Sequence, residues 1–188
     1  MKAAIVAVQG DFAEHRKALE EMGIECVELR QKGDLDKSYD MLVLPGGEST
    51  SQGKLLRELG MFERLKEQIT EGLPVFATCA GLILLSENIS NDGHTYFGTL
   101  PVTVRRNAYG RQLGSFRTLG RFAELPDVPM TFIRAPYIEK TFCGTEILSE
   151  VAGKIVAVRY HNQLAISFHP ELDRDKRVLR FFLDEICR

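Results

Sequence analysis

Three strand-length apolar runs, Ala3–Val8, Met41–Leu44 and the stretch from Val75 to Thr78 after Pro74, each stop at a turn and give way to a helical pattern. That alternation constrains the fold more than anything else in the chain, because successive strand–helix units build a parallel sheet covered by helices on both faces. Gly10-Asp11 opens the first helix, with Asp11 as N-cap and Glu14 three residues on, and Gly23 closes it. Ile24–Leu29 reads as another strand, Pro45-Gly46-Gly47 ends the one from Met41, and helical patterns follow over Lys54–Leu59 and Phe62–Ile69. After residue 100 the pattern changes. Val102–Val104, Met130–Ile133, Glu146–Val151, Ile155–Tyr160 and Leu164–Phe168 are short strand signals, and Ala152-Gly153-Lys154 is a hairpin turn between two of them. Arg174–Cys187 closes the chain as an amphipathic helix with Val178, Phe182 and Ile186 on one stripe. The expected fold is therefore α/β, a single domain over residues 1–188, with a mostly parallel central sheet and a more strand-rich second half. Ser90–Leu125, rich in Gly, Arg and polar residues, is the least regular segment and is expected to carry loops over a site.

Bulk properties narrow the function. At 188 residues, 44% hydrophobic and 27% charged, the chain has the make-up of one soluble globular domain. A net charge of -2 offers no basic footprint for nucleic acid. No apolar run reaches the roughly 18–20 residues that cross a bilayer. Four scattered cysteines, Cys26, Cys79, Cys143 and Cys187, show no metal-type CxxC pairs and suit free thiols in a reducing cytoplasm. Three of them, Cys26, Cys143 and Cys187, read as small buried residues. His15, His94 and His161 lack metal-ligand spacing and are expected to face solvent.

Cys79 is different. It stands where the strand Val75–Thr78 meets the helical Leu82–Leu85, flanked by Ala77, Ala80 and Gly81. Small neighbours allow the sharp strand-to-helix turn that holds a nucleophile out from a sheet. A free thiol with pKa near about 8.5 is mostly protonated at neutral pH, so nucleophilic use needs help. A helix N-terminus favours the thiolate, and the Ala80 N–H would point to a developing oxyanion. The glycine loop Gly46-Gly47 is the source of a second donor, with Gly47 N–H the best placed. In parallel sheets the ligand site lies beyond the carboxyl ends of the strands. His169-Pro170-Glu171 follows such an end, so His169 is the candidate base and Glu171 the group that orients it. The cluster Arg105-Arg106…Arg111 reads as a solvated patch or an anion site.

Six segments together resemble one family. "VAVQGDFAEH" (Val6–His15), "LPGGEST" (Leu44–Thr50), "TCAGLILL" (Thr78–Leu85), "RNAYGRQ" (Arg106–Gln112), "FIRAP" (Phe132–Pro136) and "SFHPEL" (Ser167–Leu172) occur in an order similar to that of class I (triad-type) glutamine amidotransferases. Within them the match is to the glutaminase subunits of pyridoxal 5′-phosphate synthase. The resemblance implies a three-layer flavodoxin-like fold and a Cys79-His169-Glu171 triad. It also implies glutamine contacts from Gly46, Gly47, Glu48, Arg106, Ile133 and Arg134, with no metal and no cofactor. By the same resemblance the substrate is L-glutamine, and the partner that receives the ammonia is a (β/α)8-barrel synthase subunit. Asp173 departs from the Thr of many members, and either residue is expected to cap the last helix. The rival readings are a glutaminase serving another ammonia-using synthase, a non-glutaminase cysteine hydrolase, and a scaffold of the same fold.

Overall fold

The computed structural model describes residues 1–106 and 114–187. Strands β1 (Lys2–Val6), β2 (Glu25–Leu29), β3 (Met41–Leu44) and β4 (Val75–Thr78) alternate with helices α1 (Phe12–Glu20), α2 (Ser49–Glu58) and α3 (Phe62–Thr70). The short helix α4 (Ala80–Leu85) follows β4 directly. The later strands are β5 (Ser86–Ile89), β6 (Leu100–Arg105), β7 (Ser115–Phe122), β8 (Leu125–Ile133), β9 (Tyr137–Thr141), β10 (Glu146–Val151), β11 (Lys154–Tyr160) and β12 (Gln163–Ile166). Helix α5 (Arg177–Glu185) is the last described element.

The main sheet runs in the order β2-β1-β3-β4-β12-β11-β9-β6-β5, and β10 also pairs with β11. From β2 to β12 all neighbours are parallel. Beyond β12 the pairing turns antiparallel until β5 and β6. Alternation along a strand sends successive side chains to opposite faces, and β1 shows the consequence. Ala4 and Val6 enter a core with Leu56, Leu65 and Leu82 from α2, α3 and α4. Ala3 and Ile5 enter a second core with Leu19 from α1 and Val178 and Phe182 from α5. The result is three layers. Among the described residues no helix is long and apolar enough to cross a membrane.

Several boundaries differ from the sequence expectation. Strands β5 and β9 carry charged or polar residues on exposed positions, which hid their strand character. Ser90–Leu125 is not loop throughout, since β7 pairs along its length with β8 as a separate two-stranded ribbon. Helix α2 begins at Ser49, immediately after the glycine loop, and Glu48 caps it by accepting from the Ser51 N–H. The Ala152-Gly153 turn joins β10 to β11 with both residues at positive φ, as a two-residue hairpin demands. Among the cysteines, Cys79 is buried, Cys143 is exposed, and Cys26 and Cys187 are half-buried, so the expectation that the last three are buried fails.

Candidate active site

The carboxyl ends of β3, β4 and β12 sit side by side in the sheet, and each delivers part of one site. At the end of β4 the backbone of Cys79 adopts φ 47°, ψ -98°, a sparsely populated conformation for a non-glycine residue. Two contacts hold it there. Its N–H donates to Ile166 O of β12 at 2.8 Å, and its carbonyl accepts from Ile83 N–H at 3.3 Å. Gly81 allows α4 to approach β3, because a Cβ there would lie 2.3 Å from Leu44 O. The small residues around Cys79 therefore answer a specific steric demand.

His169 leaves β12 with its N–H donating to Thr131 O of β8 at 2.9 Å, and Pro170 starts a 3-10 turn over Pro170–Leu172. That turn brings the Glu171 carboxylate back under the ring, where Oε1 lies 2.6 Å from His169 Nδ1. The other ring nitrogen, Nε2, is buried without a hydrogen-bond partner among the described residues. The Cys79 thiol, 3.8 Å from Ile133 O, is close enough to act on His169 electrostatically. Burial works against a charged imidazole, but the neighbouring Cys79 and the hydrogen bond and charge of Glu171 outweigh it and raise His169 to about 10. Burial likewise opposes the charge on Glu171, yet His15 and His169 hold its carboxyl below the ordinary range. Chemically this is a thiol, a base able to hold a proton, and an acid that orients the base.

The glycine loop is fastened from three sides. Gln52 Nε2 donates to Gln9 O, Pro45 O and Gly46 O at 2.9, 3.2 and 3.3 Å, and Asp11 N–H donates to Gly46 O at 3.1 Å. Gln9 Oε1 accepts the Glu48 N–H at 2.8 Å. Gly46 lies against His169, where an added Cβ would meet the ring at 2.4 Å. Gly47 has φ 146°, and its Cβ would meet Gln9 Oε1 at 2.6 Å. Glycine is demanded at both positions.

A cavity of about 370 Å³ opens over these groups, at the lower end of small-molecule sites. Cys79, His169, Gly47, Glu48, Arg106, Ile133 and Arg134 line it, together with Gln9, Asp11, Ser49 and Ile83. Gly46, Ala80 and Glu171 do not line it. Arg106 reaches across from the end of β6 with Nη2 on Glu48 Oε1 at 2.9 Å and Thr50 Oγ1 at 3.1 Å, and Nη1 on Asp92 Oδ2 at 2.5 Å. Asn107–Gln112, the rest of that motif, and Arg111 lie outside the described residues. Arg105 pairs with Glu139 instead. A wider depression of about 700 Å³, bordered by Lys2, Asp40 and Leu73, lies at the opposite ends of β1, β3 and β4, and no cysteine or histidine is among the described residues that line it.

Three side chains behave unlike their sequence reading. His15 is fully buried rather than solvent-facing, because α1 lays it against Thr78 and Glu171. Asp11 occupies the N-cap position of α1 but makes no side-chain cap; its Oδ2 instead approaches His169 Nδ1 at 3.4 Å, and burial raises its pKa. Asp173 does not cap α5. It is buried, accepts from Thr131 Oγ1 at 3.1 Å and pairs with Arg117, tying the β7–β8 ribbon to the turn that carries Glu171. Asp11, His169 and Glu171 form the metal-competent cluster among the described residues, but His169 Nδ1 is already engaged by Glu171. Helical spacing did place His15 and Asp11 on one face, four residues apart, which was the available signal for both.

Comparison with known proteins places this geometry. The sequence matches the SNO glutamine amidotransferase family over residues 5–188. The pyridoxal 5'-phosphate synthase subunit PdxT of Desulfitobacterium hafniense is 61% identical over 186 residues, covering 99% of this chain and 94% of the relative. The subunit of the same name from Haemophilus influenzae is 50% identical, covering 100% and 99%. A crystal structure of a glutamine amidotransferase superposes with TM-score 0.91 at 41% identity, covering 98% of both chains. A glutamine amidotransferase from Thermotoga maritima shares the fold, with TM-score 0.66 at 16% identity over 98% of this chain and 81% of that one. A match that runs nearly end to end, at identities of half or more, makes this chain a member of the SNO glutamine amidotransferase family.

Proposed function

We propose that this chain is the glutaminase subunit of pyridoxal 5′-phosphate synthase, hydrolysing L-glutamine to glutamate and ammonia for vitamin B6 biosynthesis. The observation that carries the reading is the strained Cys79 turn opening, with His169 backed by Glu171, into one amino-acid-sized cavity. The name and near-complete coverage of the relatives support the choice of synthase.

Cys79 Sγ, with its proton already held on His169 Nε2, attacks the side-chain amide carbon of glutamine. The oxyanion of the tetrahedral intermediate is met by the Ala80 and Gly47 N–H groups, each worth on the order of 3–4 kcal/mol of transition-state stabilisation. His169 then donates its proton to the leaving nitrogen, releasing ammonia and leaving a glutamyl thioester. Water, deprotonated by His169, hydrolyses the thioester to glutamate and restores the thiol. Glu171 holds the ring and stabilises its charged form throughout. Glu48, Arg106 and the groups at Gly46, Gly47, Ile133 and Arg134 contact the glutamine, a guanidinium suiting its carboxylate and backbone groups and an acid its amide and ammonium.

The ammonia passes to a (β/α)8-barrel synthase subunit, and both act in the cytoplasm. Residues 1–188 work as one domain. Measuring glutamate release with and without the purified synthase subunit tests the assignment. Release that rises on adding the synthase supports it, and indifference to that partner points to a different ammonia user.

A further inference from the structure

His15 is completely buried, yet the chemistry above gives it no part. It stands one helical turn after Asp11 on α1, so both side chains leave the same face. Asp11 approaches the His169 ring, while His15 Nε2 lies 3.5 Å from Glu171 Oε1. The same Nε2 is 3.0 Å from Oγ1 of Thr78, the residue before Cys79. One ring atom thus touches both the acid behind the base and the strand end that carries the thiol. The second ring nitrogen, Nδ1, has no hydrogen-bond partner among the described residues, and the ring packs edge-on against Phe76 at 6.0 Å.

These surroundings select one tautomer. Nδ1 lacks a partner in either tautomer, but a proton there would also turn the Nε2 lone pair toward a carboxylate, a penalty that a proton on Nε2 avoids. A second charge is also opposed: burial pushes His15 below its ordinary range, His169 repels it, and the pull of Glu171, Asp11 and Glu14 does not compensate. Glu171 needs such a neutral neighbour. Its Oε1 accepts from His169, but its Oε2 has no hydrogen-bond partner among the described residues, so none of them resists rotation of the carboxylate from that second oxygen.

We propose that His15 is a positioning residue for glutamine hydrolysis, a neutral Nε2–H donor between Thr78 and Glu171 that fixes the carboxylate orienting His169. The role rests on the proposed triad. Loosening Glu171 weakens its support of the His169 cation, whose other facing groups are Cys79 and Asp11, and so makes that imidazole more acidic.

The test compares His15→Leu, which removes the donor, with His15→Gln, whose amide nitrogen reaches a similar place. Both are assayed for glutamate release with the synthase partner present, across pH. His15→Leu should lose about 10- to 100-fold in kcat with KM within about threefold, and the basic limb set by His169 should move down by about one pH unit. His15→Gln should recover most of the kcat. A His15→Leu enzyme with wild-type kcat and basic limb, or a His15→Gln enzyme no better than His15→Leu, overturns the role. Cys79→Ala run alongside separates the two claims: retained activity there overturns the triad and this role with it, whereas its inactivity leaves the His15 variants to decide. In the unsubstituted protein, long-range 1H–15N correlations should show His15 neutral with its proton on Nε2 from about pH 6 to about pH 9. A charged ring at neutral pH, or a proton on Nδ1, refutes the proposal even if His15→Leu does not fold.

Discussion

Adding one methyl group at Gly46 tests how tightly the site is built. The Cβ of Gly46→Ala would lie 2.4 Å from His169 Cε1 and 2.7 Å from Asp11 Oδ2. Ordinary contact begins near 3.4 Å, so the ring must retreat by about 1 Å, the difference between 3.4 and 2.4. His169 cannot easily do so, since its Nδ1 is held by Glu171 at 2.6 Å and its N–H by Thr131 O at 2.9 Å. A misplacement of about 1 Å at a reacting group costs on the order of 100-fold in rate. Overpacking a well-filled site costs about 1–3 kcal/mol of stability. Glutamate release and urea unfolding should therefore show kcat/KM reduced about 100-fold in a protein that is still folded at 25 °C. Gly23→Ala is the control: Gly23 has φ 79° with nothing near its Cβ, so backbone strain lowers stability while activity stays at wild type. A Gly46→Ala enzyme within threefold of wild type would refute the placement of His169 against the glycine loop.

His169→Asn should be nearly inactive, because both proton transfers use that ring, whereas Glu171→Gln should be milder, since it keeps a hydrogen-bonding group behind Nδ1; kinetics in the reverse order would exchange their roles. With His169 raised to about 10, kcat/KM should fall as pH passes about 10 and the imidazolium that protonates the leaving nitrogen is lost. The same raised value contributes stability that is complete below the ordinary histidine range and gone above about pH 10, so urea midpoints should decline across that window while those of His169→Asn change less. Gly47→Ala penalises the backbone at φ 146° seen here. Comparison of free and synthase-bound kcat should show the activation ratio changing more than partner affinity, as expected if docking reorients the oxyanion loop; equal rates for the free and bound wild-type subunit would contradict that coupling.

The parallel half of the fold was legible because its strands are continuous apolar runs bounded by Gly and Pro, and β3 and β10 match their expected ends residue for residue. Strands β5 and β9 were not, since Ser86–Ile89 and Tyr137–Thr141 mix buried and exposed positions at the far side of the sheet, where tertiary pairing overrides local pattern. The ends of the strands told where chemistry would gather, and Cys79, His169 and Glu171 do converge there. What sequence pattern could not supply was the inward turn of α1. A histidine among Glu, Arg and Lys reads as a solvated face, and only the packing of α1 against the Pro170–Leu172 turn reveals that His15 and Asp11 point at Glu171 and His169. Asp173 was misread for a related reason. Its position before a helix suggested a cap, whereas the long-range partners Arg117 and Thr131 come from a ribbon whose first strand was not anticipated.

The thioester chemistry is tested most directly with a glutamine analogue that alkylates a reacting thiol, 6-diazo-5-oxo-norleucine. After incubation, peptide mass spectrometry and glutamate release are read from the same sample. A single adduct on Cys79, rising in step with the loss of activity and sparing even the exposed Cys143, is the predicted result. An adduct on Cys26, Cys143 or Cys187 with Cys79 unmodified, or full activity in a protein whose Cys79 is labelled, would contradict it.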